Sequence, residues 1–397
     1  MKPILENETD LYFEQGGPMQ RFAQRLAAKF GFGHSLLLRF LAFLALTWLP
    51  LLILSALEGR ALAASPEGSF LLDFGTFARF FLGIPLLLFA ESVVGPRLRG
   101  AGLRFVEGGF IRPEDYPAFD RAIARAARLR ESGWAELVIV GISLVGAWCL
   151  TAETFYGGGI ATWRSTSQAA SDGAVLSLTG LWYHFVAVPI LQFIWYRWLW
   201  RLCAWGIFLW SVSRLNLNLV ALHADQAGGL GFLGITHSSL GIFALALSCV
   251  LSAEAGFLIV FQKVGIATFQ MPYVAIVVAG ELFIFGPLLM FVPVLVSARQ
   301  TWLHDYSLLV IRYNRAFHEK WVNGKNSEDQ SLLGSSDIQS LADLGNAFAY
   351  VRGMKTMPFS RNELIRLAIV ISLPCIPLFL LVMPIDKILQ MVMKGIF

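Results

Sequence analysis

Two carboxylates in this chain lie where charge is costly. Glu254 sits in Ser252-Ala-Glu254-Ala-Gly256 and Glu281 in Ala279-Gly-Glu281, each inside an apolar run and each flanked by small residues. An ionisable group at the centre of a membrane helix costs about 2.5–3.5 kcal/mol on insertion scales, so it usually faces protein or water. Small neighbours allow close helix approach or leave room for water. The chemistry open to the two is cation or proton binding, or the lining of a pore. The plainer alternative is a buried pair with Arg197 or His184. Arg39, Arg79, Glu91 and Glu136 also fall in apolar runs, but nearer the expected ends, where long side chains snorkel to water.

The most distinctive string is His223-Ala-Asp225-Gln-Ala-Gly228-Gly229-Leu-Gly-Phe-Leu-Gly234. Gly228 and Gly229 admit backbone geometry that other residues resist. Amides exposed in such a turn, beside a helix N-terminus, can hold an anion. His223 and Asp225 would bind a metal, hold a proton or tie the loop to its own backbone. Two ligands do not make a metal site, and the spacing is neither a dinucleotide-binding nor a P-loop motif. A structural turn and a ligand or gating role both remain open. No cofactor is expected. The four cysteines, Cys149, Cys203, Cys249 and Cys375, lack C-x-x-C spacing and read as small buried apolar residues.

Long apolar segments must position these groups. The chain is 56% hydrophobic and 15% charged, against about 25% charged in a soluble domain. A bilayer demands about 20 apolar residues per helix. Seven such stretches read out: Ser35–Leu57, Phe74–Val94, Gly133–Ala152, Leu178–Val212, Ser238–Phe261, Pro272–Ala298 and Ile365–Ile385. The expected fold is an all-α, polytopic helical bundle. Span four is aromatic, with six of the twelve tryptophans between Trp182 and Trp210, and reads as an interfacial belt on a long tilted helix or as an aromatic-lined groove.

Lys and Arg total 21 in the connections on one side and five on the other. The positive-inside rule makes the first side cytoplasmic, with the N-terminus inside and the C-terminus outside. A hairpin in span four instead of one crossing would invert the later sidedness, which the charge count opposes. Residues 1–18 read as a tail, with an ENETDLYFEQGG run like a protease site from an expression tag and Met19 as the native start. Residues 19–364 hold spans one to six with cytoplasmic helices near 113–131 and 299–350, and 365–397 the seventh span and a short outer segment. Phe119, Ala122, Ile123 and Ala126 oppose Arg121, Arg125 and Arg128 on an amphipathic helix, suited to the inner leaflet or to a neighbouring cytoplasmic helix. Ser336-Asp-Ile-Gln339 and Ser360-Arg-Asn-Glu363 have capping-box spacing and should open helices.

The His223–Gly231 string, Ser336-Asp-Ile-Gln-Ser-Leu-Ala-Asp-Leu344 and the prolines Pro374 and Pro377 carry a resemblance. The chain resembles a group of uncharacterised bacterial multi-pass membrane proteins marked by a histidine-proline-aspartate, then an alanine-glycine-glycine-leucine-glycine string. Ala224 stands where that group has proline. The resemblance covers mainly the C-terminal half and implies the topology without an activity.

Three functions follow from these readings. A channel or transporter in the bacterial inner membrane would use Glu254 and Glu281, with Arg197 and His184, along its pathway and the His223–Gly231 loop at its mouth. A sensor or assembly scaffold would dock a cytoplasmic protein partner on the two cytoplasmic helical segments. An enzyme acting on lipid would use His223, Asp225 and His304-Asp305, but no nucleophile stands in a recognisable motif. The partners expected are the lipid bilayer, a second copy of the chain and a cytoplasmic protein; no nucleic acid is expected.

Overall fold

A computed structural model describes residues 16–18, 21, 36–156, 162–166, 175–323 and 335–382, with backbone only for 150–156. The tail up to residue 15 and most of the polar stretch 323–331 lie outside the described residues. The chain is an all-α bundle. In chain order the helices are α1 (Leu36–Leu57), α2 (Phe74–Glu107), α3 (Tyr116–Arg130), α4 (Gly133–Tyr156), α5 (Leu178–Val212), α6 (Gly231–Phe261), α7 (Ile266–Val322), α8 (Ser336–Gly353) and α9 (Arg361–Leu381). A two-residue antiparallel pairing, Ser165–Thr166 with Val175–Leu176, is the β-structure among the described residues.

Six of these helices (α1, α2, α5, α6, α7 and α9) are long and apolar enough to cross a membrane. The seventh, α4, meets the same test taken together with α3, from which it bends by 42°. The chain is therefore a multi-pass membrane protein. The crossings alternate. Residues 58, 73 and 164 meet at one end, and residues 110, 218, 226 and 355 at the other. The second end carries the arginine-rich connections and is called the basic end below. Span four is one continuous helix, which excludes the hairpin alternative.

The spans are not uniformly α-helical. A π stretch interrupts α2 at Ala78–Gly83 and α5 at Tyr183–Ala187, and 3-10 turns interrupt α7 at Gly286–Phe291 and α9 at Leu373–Cys375. Proline explains the positions. Pro85 and Pro189 start the α segments after the π stretches, while Pro287 and Pro374 lie in the 3-10 turns. Without an N–H, proline cannot close the helical hydrogen bond, and its ring crowds the preceding turn.

The tryptophans of α5 differ from the expected belt. Trp198 and Trp205 are buried, and Trp182, Trp198 and Trp200 donate to backbone carbonyls of Leu46, Leu87 and Leu129. Their N–H groups link helices, because a buried indole needs an acceptor. The amphipathic α3 packs on the core, with Phe119 against Phe208 of α5, and exposes Arg121, Arg125 and Arg128. Beyond the bundle, α7 runs on from Arg299 to Val322, about 35 Å at 1.5 Å per residue. There it pairs with α8. Asp337 accepts from Lys320 at 2.7 Å and Trp321 at 3.0 Å, and Arg299 donates to the Arg352 carbonyl at 2.8 Å. The Ser336 capping box does not form, since α8 starts one residue after Ser335 with no side-chain cap bond, whereas the Ser360–Glu363 box does. Cys149 and Cys203 are exposed on the bundle surface, contrary to the buried expectation; Cys375 is buried.

Opposite the basic end, a polar plug joins α2, α5, α6 and the 162–166 loop. Asp73 N-caps α2 through Thr76 and accepts from Trp163 at 2.9 Å and Arg164 at 2.6 Å. Burial opposes its charge, but Arg164 and Arg79 outweigh that and hold its pKa at about 2. Gly180 admits this loop, because a Cβ there would overlap the Arg164 carbonyl. Glu58 accepts from the amide of Leu178 at 2.6 Å and the hydroxyl of Thr179 at 2.6 Å. Asp73→Asn leaves the half-buried Arg164 guanidinium without its counter-charge and is expected to cost about 3 kcal/mol, against about 1 kcal/mol for Glu58→Gln, a cap contact. Thermal unfolding of the purified variants measures both, and the reverse ranking would show that the plug does not hold this end together.

Candidate functional site

The His223–Gly231 string folds around one carboxylate. Asp225 Oδ1 accepts from the amides of Ala227 (2.8 Å) and Gly229 (3.1 Å), and Oδ2 from Gly231 (2.8 Å), the first residue of α6. His223 Nδ1 lies 2.9 Å from Oδ1. The turn therefore presents amides to an anion, and that anion is the chain's own Asp225, placed where the helix dipole favours it. Burial pushes the Asp225 pKa up, and the three amides together with His223 outweigh it, leaving it below the usual carboxylate value.

The glycines are required by geometry. Gly228 and Gly229 have φ of +64° and +96°. A Cβ on Gly228 would lie 3.0 Å from Met354, and one on Gly229 would collide with the Phe110 ring. The loop is bolted to the segment between α8 and α9: Lys355 N donates to Gln226 O at 2.6 Å, and Gly234 N to Pro358 O at 3.1 Å.

Where the end of α2, this loop and the 355–363 segment meet, they line an open cavity of about 600 Å³ at the basic end. That lies within the roughly 300–1,000 Å³ of small-molecule sites. Its apolar wall includes Phe110, Phe232 and Phe359, and its charged lining Arg104, Glu107, Lys355 and Glu363. The Arg104 guanidinium sits 5.7 Å from the Phe232 ring centre. Glu363 is committed to the Ser360 amide. Beneath the cavity, Phe359 rests on Phe285 with ring centres 5.0 Å apart.

The deep carboxylates separate. Glu254 pairs with Arg79, which also donates to the Tyr183 hydroxyl at 2.8 Å. The partner is neither Arg197 nor His184, and Arg79 does not snorkel. Gly75 makes room, since a Cβ there would meet the Glu254 carboxylate. Glu91 binds Arg39 at 2.6 Å and Arg201 at 3.3 Å, and Arg197 lies 3.8 Å from Glu136. Glu281 is half-buried on the face of α7 that carries Val277 and Ile284 into the core, and has no hydrogen bond or ion pair with a described residue. It stands one turn from Phe285, on the side away from the cavity. His184 is buried beside Tyr183, and neither ring nitrogen has a partner among the described residues. Glu254 and Arg197 thus serve separate ion pairs. His304 and Asp305 are exposed on the projecting helix, away from the cavity. No group of three or more metal-ligating side chains occurs among the described residues.

Two contributions escape sequence reasoning. His237, in the first turns of α6, accepts from Trp205 Nε1 at 3.0 Å on Nε2, so its Nδ1 donates to the Ile284 carbonyl at 2.6 Å, tying α5, α6 and α7 at the break in α7. A lone histidine beside glycines carries no signal for this. The cavity wall from Lys355 to Glu363 is likewise unmarked except by the capping box. No family model, no curated protein and no solved structure matches the chain.

Because the Asp225 carboxylate is favoured in the folded state, its contribution is full above about pH 4, the ordinary carboxylate range. It is lost as pH falls below that. Asp225→Asn is expected to lower the melting temperature at pH 7 and to flatten its fall between pH 5 and pH 3. Gly228→Ala forces a Cβ into left-handed backbone and is expected to cost about 1–2 kcal/mol. A thermal-melt series over pH reads both; an unchanged melt for Asp225→Asn would remove the carboxylate from its organising role.

Proposed function

We propose that the protein is a carrier for a small solute, of the transporter class, seated in the bacterial cytoplasmic membrane with its basic end inside and its N-terminus on that side. One observation carries the reading: a cavity opens at the basic end, while the Asp73–Arg164 and Arg79–Glu254 ion pairs join the helices at the other. The π and 3-10 interruptions in α2, α5, α7 and α9 support it, since carriers use broken helices to build sites and to move. In this reading the Arg79–Glu254 and Asp73–Arg164 pairs are the outer gate, not the lining of an open pore. Glu281 is the carboxylate left for a coupling cation or proton. Phe285 and Phe359 separate it from the cavity, and the His223–Gly231 loop frames the mouth. The resemblance to the bacterial multi-pass group fits this placement and adds no substrate.

A second reading has its own observation. The α7–α8 arm exposes Leu308, Leu309, Ile311 and Ile338, and its base runs into the segment that walls the cavity. A sensor or assembly scaffold would dock a cytoplasmic protein, or a second copy of the chain, on that arm and couple the docking to occupancy of the cavity.

Proteoliposomes decide between them. Flux of sodium, potassium, protons, chloride and small organic acids is expected for at least one probe. Glu281→Gln should change it several-fold without shifting the melting temperature, and Glu254→Gln should raise leak by freeing Arg79. Silence to every probe from folded protein would overturn the carrier reading and leave the scaffold.

A further inference from the structure

The cavity at the basic end has a charge balance that narrows what it can hold. Two of its three acids are consumed internally: Asp225 by three amides and His223, Glu363 by the Ser360 amide. Glu107, Arg104 and Lys355 remain exposed, and no hydrogen bond or ion pair ties their side chains to another described residue. Two free cations therefore face one free acid. Beside them stand the rings of Phe110, Phe232 and Phe359, with Phe110 and Phe232 stacked at 6.1 Å and 27°. A polar solute leaves those rings uncovered, and a neutral apolar one leaves the cations idle.

We infer that this cavity binds an amphiphilic organic anion: a carboxylate or phosphate held by Arg104 and Lys355, with its apolar body against the three phenylalanine rings. This deepens the carrier reading by naming the class of its solute. Arg104 is the stronger anchor, because a planar guanidinium grips two anionic oxygens at once. It is already held over the Phe232 face, so little side-chain freedom is lost on binding. The same chemistry is presented by an anionic lipid of the surrounding leaflet and by a soluble aromatic acid. The cavity lies at the membrane end of α6, where Ile235 is exposed beside it, so both have access.

The test is equilibrium binding to the purified full chain in nanodiscs, read by calorimetry, with phenyl phosphate, phenylacetate, 2-phenylethanol and inorganic phosphate as probes. Phenyl phosphate or phenylacetate should bind, with 2-phenylethanol and inorganic phosphate each at least about tenfold weaker. Arg104→Gln and Lys355→Gln should each weaken binding about tenfold, the worth of one hydrogen bond to a charged group. Both side chains are exposed, so the variants should fold, and an unchanged melting temperature checks this. Arg312→Gln on the arm should leave affinity unchanged. If phosphatidylglycerol nanodiscs suppress probe binding relative to phosphatidylcholine, the resident anion is a lipid; equal affinity assigns a soluble acid. Equal binding of 2-phenylethanol, or indifference to both cation variants, would overturn the inference. Binding without flux in the proteoliposome experiment would retain this site and remove only the carrier reading.

Discussion

A guanidinium or carboxylate drawn into an apolar bundle is costly unless it meets an opposite charge, and such pairs tie the spans together. Arg79 with Glu254 joins α2 to α6, Glu91 with Arg39 and Arg201 joins α2 to α1 and α5, and Arg197 with Glu136 joins α5 to α4. Each pair spans different helices, so helix positions and charge compensation are fixed together. Breaking one leaves a partly buried charge without its partner, which is more costly than losing an exposed pair. Arg79–Glu254 lies toward the plug end, and the Arg39–Glu91–Arg201 and Arg197–Glu136 pairs toward the basic end. The plug end adds Asp73–Arg164 and a capping carboxylate, Glu58, to its ion pairs. At the basic end the connections are held by the Asp225 turn and a few backbone bonds to the 355–358 segment.

The cavity at the basic end is what the functional reading uses. The cavity wall is shared among three connections, and one of them, Met354–Ser360, links the projecting arm to α9. Moving this segment alters the cavity and the Phe359–Phe285 contact beneath it together.

The spans were legible because a bilayer demands long apolar runs whatever lies beside them, and within the described residues each of the seven expected stretches falls on a helix, six of them apolar and long enough to cross alone. Gly228 and Gly229 were legible as a turn because few residues tolerate such backbone, but the anion that fills the turn was not. Asp225 sits four residues before Gly229, and spacing alone does not distinguish it from a metal ligand or a proton site. The partner of Glu254 was hidden for a different reason: Arg79 is 175 residues away, and depth in the membrane does not say which helices touch. Span four read as an interfacial belt because composition counts tryptophans without showing where Trp198 and Trp205 point. The cavity was the least legible of all, since no single segment contains it.

That the cavity and the plug face opposite sides of the membrane is the central claim, and thiol labelling tests it most directly. In a background with Cys149, Cys203, Cys249 and Cys375 replaced by alanine, Met357→Cys reports the cavity, and Lys263→Cys, between α6 and α7, reports the plug end. A membrane-impermeant maleimide is applied to intact cells and to inside-out vesicles. Met357→Cys should label only in the vesicles and Lys263→Cys only in the cells. Labelling of Met357→Cys from outside, or of both positions from the same side, would contradict the account.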